Sequence, residues 1–256
     1  MRRDNPGAAL NDEQRAAADA GIKGMIPIGR PFLDYAISAL ADAGITDVCL
    51  VIGPGADHRV VRDYYEALPT TRVSIRFAVQ REPRGTADAV LAAEAFANGE
   101  CVLSVNADNY YPVHTLRALR ELGGAGVTVF ERDALVRMSN IPPERVLQFA
   151  IVGVDGDGML ETIVEKPDAE TVARRRGPVY VSMNSWSLPP EFYEACRQIG
   201  PSPRGELELQ AAVRYARERM GVRFRALVEH DGVLDLSTRA DVVAVAERLR
   251  DVEVRL

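Results

Sequence analysis

Strand-like and helix-like runs alternate along most of this chain. That alternation confines it to an α/β architecture, a mainly parallel sheet with helices on both faces. Asp47–Gly53 (DVCLVIG) reads as a buried strand stopped by Gly53-Pro54-Gly55, and Val73–Val79 as a second strand interrupted by Ser74 and Arg76. Ala87–Ala97 is an alanine-rich helix opened by Gly85-Thr86, and the threonine hydroxyl is expected to cap its first free amides. Cys101–Asn106 and Gly126–Glu131 supply further strands. From Leu147 the texture changes to paired strands, FAIVGV and MLETIVEK, about the hairpin signal Asp155-Gly156-Asp157-Gly158. The last third returns to helix over Glu206–Met220 and Asp241–Leu249. No repeat or long linker interrupts this order, so residues 1–256 are expected to form one domain with a small mixed β insertion at roughly 147–190.

One element is missing. A parallel sheet usually begins with a strand whose carboxyl end carries a glycine-rich phosphate loop. Residues 1–22 are polar and alanine-rich and hold no strand, so the helix Pro31–Ala43 follows a segment with nothing central to pack against. If Met1 is the true start, the neighbours of the absent strand expose unpaired edges that invite aggregation or dimerisation. The other expectation is that Met1 is an internal methionine of a longer chain.

Net charge of −6 and a pI of about 5.3 argue against a general nucleic-acid or membrane-surface binder. An acidic protein can still bind small phosphorylated molecules through a few local cations. Cys49, Cys101 and Cys196 are odd in number and widely spaced; they read as buried thiols in a reducing compartment. No apolar stretch reaches the ~20 residues a bilayer span needs, and the N-terminus lacks a signal-peptide core. The expected location is cytoplasmic.

Local cations are conspicuous by type. Of 31 basic side chains only Lys23 and Lys166 are lysine, each shortly before a proline turn. A compact, rotatable ammonium fits a tight phosphate pocket that a planar guanidinium does not. Gln80 ends a strand and Gly85-Thr86 opens a helix; a side-chain amide suits a base edge, and free helix amides suit a carbonyl or phosphate oxygen. Asp108 and Asp235 each follow an apolar run, at the kind of edge where open α/β sheets bind ligands. Together they suit Mg²⁺, which accepts a few oxygen ligands plus substrate phosphates, although such aspartates are also common turn and cap residues. Glu165-Lys166-Pro167 closes a strand; alternation sends the two charges to opposite faces unless the turn gathers both into a cleft.

Six ordered segments, KGMIPIGRPFLDYAISALADAGI, QREPRGTADAV, VNADNYYP, VEKP, RGELEL and LDLSTRADV, resemble the sugar-nucleotide pyrophosphorylases, nucleotidyltransferases that join a nucleoside triphosphate to a sugar 1-phosphate. The resemblance runs from about Lys23 to about Val245. It implies a Rossmann-like sheet with a sugar-binding insertion. It also implies base contacts from Gln80 and Gly85, a substrate contact from Thr86, Mg²⁺ on Asp108 and Asp235, sugar hydroxyls on Glu165 and sugar phosphate on Lys166. Lys23 would meet the triphosphate. The family's opening strand and Gly-x-Gly-Thr-Arg loop have no counterpart here. Ala107, Ala150 and Asn184 stand at positions where glycine is usual, and Asn184 is carried over as a substrate contact. The implied partners are a nucleoside triphosphate, with uridine or thymidine slightly favoured, and a sugar 1-phosphate, with a homo-oligomer possible. A non-catalytic nucleotide-sugar binder of the same fold is the alternative. A dehydrogenase is disfavoured, because no Gly-x-Gly-x-x-Gly follows a strand.

Overall fold

The computed structural model describes residues 10–19, 21–173 and 177–256; Met1-Arg2-Arg3 lie outside them. Helix α1 (Asp12–Asp19) leads through the 3-10 turn Lys23–Met25 into a short ladder of β1 (Pro27–Ile28) and β2 (Arg30–Pro31). Helix α2 (Phe32–Asp42) follows. The expectation that it has nothing central to pack against fails, since Phe32–Ala41 are all buried. The acid of its first turn, Asp34, is fully buried, and Arg30 Nε, Tyr64 Oη and Tyr65 Oη donate to it at 2.9, 2.8 and 2.8 Å. Both tyrosines stand on α3 (Ala56–Ala67), so the acid ties α2 to α3.

Strands β3 (Asp47–Ile52) and β4 (Ser74–Val79) flank α3 and pair in parallel, Asp47 opposite Ser74 and Ile52 opposite Val79. Among the described residues they form a two-stranded sheet of their own. The alanine-rich helix divides at Ala93 into α4 (Thr86–Ala92) and α5 (Glu94–Ala97). Next come β5 (Val102–Ser104), β6 (Asn109–Tyr110), α6 (Val113–Glu121), β7 (Gly126–Glu131) and α7 (Arg132–Met138). A second 3-10 turn, Pro143–Gln148, enters the antiparallel hairpin of β8 (Ala150–Val154) and β9 (Leu160–Val164). The rest is α8 (Ala169–Ala173), β10 (Tyr180–Leu188), α9 (Phe192–Gln198), α10 (Leu209–Met220), β11 (Arg225–Glu229), β12 (Leu234–Asp235) and α11 (Asp241–Leu249).

Strand β10 organises the larger sheet, whose order is β11-β7-β10-β8-β9 with β5 also on β10. Strands β5, β7 and β11 share one direction and β10 opposes them, which makes the sheet mixed. Tyr180–Ser182 lie between β7 and β8, whereas Trp186–Leu188 lie between β7 and β5. The changeover falls where the register shifts between Ser182 and Trp186 and where Asn184 takes a left-handed φ of 59°. A bulge there lets one strand carry both the core sheet and the hairpin insertion.

Trp186 and Phe192 each meet Phe224 edge to face, at 5.9 and 6.0 Å, in the core beneath α9 and α10. A second core joins α2 to β3 and α3. Cys196 is buried, but Cys49 is only half-buried and Cys101 is exposed, contrary to the expectation for all three. Cys101 stands just outside β5, where the chain has not yet entered the core. No helix among the described residues is long and apolar enough to cross a membrane.

Candidate active site

The carboxylates come first. Strand β6 pairs with β12, Asn109 opposite Asp235, and Leu236 N donates to Asp108 O at 2.9 Å. This ladder brings Asp108 and Asp235 together from distant parts of the sequence. Lys23 Nζ meets Asp108 Oδ2 at 2.6 Å, and Gly24 beside it lies against the Ala107 carbonyl. Burial raises the pKa of Asp235, and the neighbouring charge of Asp108 adds to the rise.

Asp235 is held by residues the sequence did not single out. Its Oδ1 accepts from Asn109 Nδ2 at 2.9 Å, and Arg145 Nη2 lies 3.1 Å from its Oδ2 as an ion pair without hydrogen-bond geometry. The same guanidinium donates to both oxygens of Asp241 at 2.9 Å. Asn140 bridges the Asp235 backbone and Asp241. Thr-x-x-Asp at Thr238–Asp241 was a visible clue, since the acid reaches back to Thr238 N and Oγ1 as in a capping box. Arg145 had no such signal.

No group of three or more His, Cys, Asp or Glu side chains converges among the described residues. Two oxygens nevertheless lack hydrogen bonds there: Asp108 Oδ1 and the buried Asp235 Oδ2. Two hard carboxylate oxygens fit Mg²⁺, a cation that takes its remaining ligands from phosphates and water.

The second group gathers around α4. Gln80 Nε2 donates to Gly85 O at 2.9 Å and to Asp88 Oδ2 at 3.0 Å. Gly85 has φ 122°, and a Cβ there would meet Leu207 O at 2.5 Å, so only glycine fits. The segment before α10 is laid across this loop: Leu207 N donates to Arg84 O at 2.6 Å and Ala87 N to Leu207 O at 2.9 Å. Thr86 does not cap α4. Its Oγ1 accepts from Leu209 N at 2.9 Å, capping α10 instead.

Glu165 and Lys166 follow β9 in a bend, with Lys166 in the left-handed region at φ 45°. Both are coupled to the same neighbours. Burial raises the Glu165 pKa, with Glu208 pushing the same way and Lys166 opposing. Burial also works on Glu208, but the Arg204 guanidinium, bonded to it at 2.7 Å, brings its pKa down. The bend therefore gathers both charges beside the Arg204–Glu208 segment.

Asn184 joins the groups. Gln210 Nε2 donates to Asn184 Oδ1 at 3.0 Å from the first turn of α10, and Tyr111 Oη donates to Met183 O at 2.6 Å. Neighbouring segments thus meet in sequence: Lys23 with Asp108, Asn109 with Asp235, Tyr111 with Met183, Asn184 with Gln210, Leu209 with Thr86, and Gly85 with Gln80. Residues 20–248 match the Nucleotidyl transferase family. The chain belongs to that family.

Similar nucleotidyl transferases fill out the comparison. The low-salt glycan biosynthesis nucleotidyltransferase Agl11 of Haloferax volcanii is 28% identical over 207 residues, 78% of this chain and 52% of that protein. The glucose-1-phosphate thymidylyltransferase of Streptomyces antibioticus is 28% identical over 241 residues, 89% of this chain and 60% of its own length. The UTP–glucose-1-phosphate uridylyltransferase of Streptococcus pneumoniae is 24% identical over 255 residues, 86% of this chain and 83% of that protein. The chain thus spans little more than half the length of the first two. Among solved structures, a UDP-glucose pyrophosphorylase complexed with UDP-glucose superposes with a TM-score of 0.71 at 19% identity, covering 90% of this chain and 91% of that one. That likeness is one of fold.

Proposed function

We propose that this chain transfers a nucleotidyl group from UTP or dTTP to a sugar 1-phosphate in the cytoplasm and releases pyrophosphate. It would act as one domain whose insertion, roughly 147–190, receives the sugar. The observation that carries this reading is that hydrogen bonds join the Lys23, Asp108 and Asp235 segments to one another and the Gln80–Ala87 loop to Leu207–Leu209, with Glu165-Lys166 brought beside Glu208. Gln80 and Gly85 address the base, with Thr86 and Asn184 bracing that side. Glu165 takes the sugar hydroxyls, Lys166 the sugar phosphate and Lys23 the triphosphate. Asp108 and Asp235 would hold Mg²⁺, which when bound supplies positive charge against the phosphate oxygens.

The sugar phosphate oxygen forms the new bond to the α-phosphorus in line as the bond to the bridging oxygen breaks, and pyrophosphate leaves with that electron pair. A phosphate monoester has its second pKa near ~6, so the attacking group is already dianionic at neutral pH and needs no general base. The chain's work is positioning and charge compensation. An ammonium ~4 Å from a phosphate oxygen contributes about 4 kcal/mol at an effective dielectric of ~20, on the order of a thousandfold in rate. Pyrophosphate release from UTP or dTTP with a panel of sugar 1-phosphates tests the reading. Lys166→Met is expected to lower turnover at limiting sugar phosphate by about a thousandfold while leaving the melting temperature near the parent's. Near-parent turnover at low sugar phosphate would remove Lys166 from the site.

A binding-only role has one observation in its favour: the described residues before the Lys23 turn form a helix, not a glycine-rich loop around a triphosphate. Tight nucleotide-sugar binding without any pyrophosphate release would decide for it.

A further inference from the structure

Gln80 is the residue of the proposed nucleotide site best placed to read a base edge, and its side chain is not free to turn. The amide carries two hydrogens, and both are used, one on Gly85 O at 2.9 Å and one on Asp88 Oδ2 at 3.0 Å. Rotating the amide by half a turn would set its oxygen against a carbonyl and a carboxylate, losing two hydrogen bonds and adding repulsion. Asp88 is itself fixed. Its Oδ1 lies 3.2 Å from Arg84 Nη2, and its side chain is only 17% exposed. The Gly85 carbonyl is held as well, because Ala89 N donates to it at 3.1 Å. Gln80 Oε1 therefore remains as the one polar atom of that side chain with no hydrogen bond among the described residues, on a residue that is half-exposed.

We propose that Asp88 sets the nucleobase specificity of the site by holding Gln80 with its acceptor outward. The proposal rests on the nucleotide-binding reading above. An acceptor facing the ring nitrogen of a base accepts from uracil or thymine N3–H, or from guanine N1–H. In the same pose cytosine N3 and adenine N1 present a lone pair to a lone pair. The substrate class is thus a nucleotide whose base carries a ring imide or lactam N–H. Asp88 does this as a positioning residue, since it acts through Gln80 and needs no contact with the ligand.

Equilibrium binding of UTP, dTTP, GTP, CTP and ATP to the 256-residue chain, in Mg²⁺ buffer, tests it. The parent is expected to bind UTP or dTTP at least about tenfold more tightly than CTP, equivalent to about 1.4 kcal/mol. Asp88→Ala removes one of the two acceptors that hold the amide and leaves only Gly85 O against its turning, and the ratio is expected to fall below about threefold mainly through a gain in CTP affinity. A merely structural loss would weaken all five ligands together. Asp88→Asn keeps an oxygen that accepts from Gln80 and is expected to retain the preference. Arg84→Ala, which leaves the Gln80–Asp88 bond intact, is expected to retain it too. An Asp88→Ala ratio within twofold of the parent's overturns the role of Asp88, as does a parent that binds all five alike, and the site reading survives both. A parent that binds none of the five overturns the site reading and this inference with it.

Discussion

Arg145 sets one guanidinium against Asp235 and Asp241, and all three side chains are nearly closed to solvent at 12%, 4% and 7% exposure. Bringing charges into such a place is expensive, so the pair need not add much net stability, but removing one partner strands the others. Arg145→Met leaves two buried carboxylates facing each other across the space the guanidinium filled. It is expected to lower unfolding stability by about 3–5 kcal/mol, read as the shift of a urea midpoint at unchanged slope. A shift below about 1 kcal/mol would mean that Arg145 is solvated and does not hold Asp235. Sequence signalled Asp235, because it ends an apolar run, and gave no hint of Arg145. A lone arginine among many, in a 3-10 turn without periodicity, looks like any solvated surface cation; only the fold shows that two distant acids meet it.

At the scale of elements, one strand and one helix were legible to the residue, Gly126–Glu131 as β7 and Asp241–Leu249 as α11, whereas the expected strand Cys101–Asn106 shortens to Val102–Ser104. What local reading could not reach was which element a cap serves. Thr86 precedes an alanine-rich helix and looks like its cap, yet the strap through Leu207 already takes the amide of Ala87, and the hydroxyl turns to Leu209 N. Tertiary contact overrides the local preference here because the strap and loop approach within backbone hydrogen-bonding distance. Thr86→Val keeps the shape and removes the acceptor. It is expected to cost about 0.5–2 kcal/mol, with faster amide exchange at the start of α10 and not of α4. Loosening confined to α4 would restore the original assignment.

Among the described residues the β3–β4 pair stands apart from the six-stranded sheet, where alternation alone suggests one sheet. Strand β7 is paired on both edges, by β10 and β11, whereas among the described residues β3 is paired only by β4 and β5 only by β10. Helices α2 and α3 and strand β4 bury β3 well enough to order it without a partner on its second ladder among the described residues. Backbone groups on such an edge are satisfied by water, and water exchanges with them easily. Half of the β3 amides point to the unpaired edge in a parallel ladder. In dilute solution of the 256-residue chain, those amides within Val48–Ile52 are expected to exchange at least about a hundredfold faster than Val127 and Val129, a gap resolvable by hydrogen-exchange mass spectrometry or NMR. Protection of β3 that grows with protein concentration would show a second copy pairing with the edge. Protection equal to that of β7 at every concentration would mean that the two sheets are joined in solution, and the separation seen between β3 and β5 would be wrong.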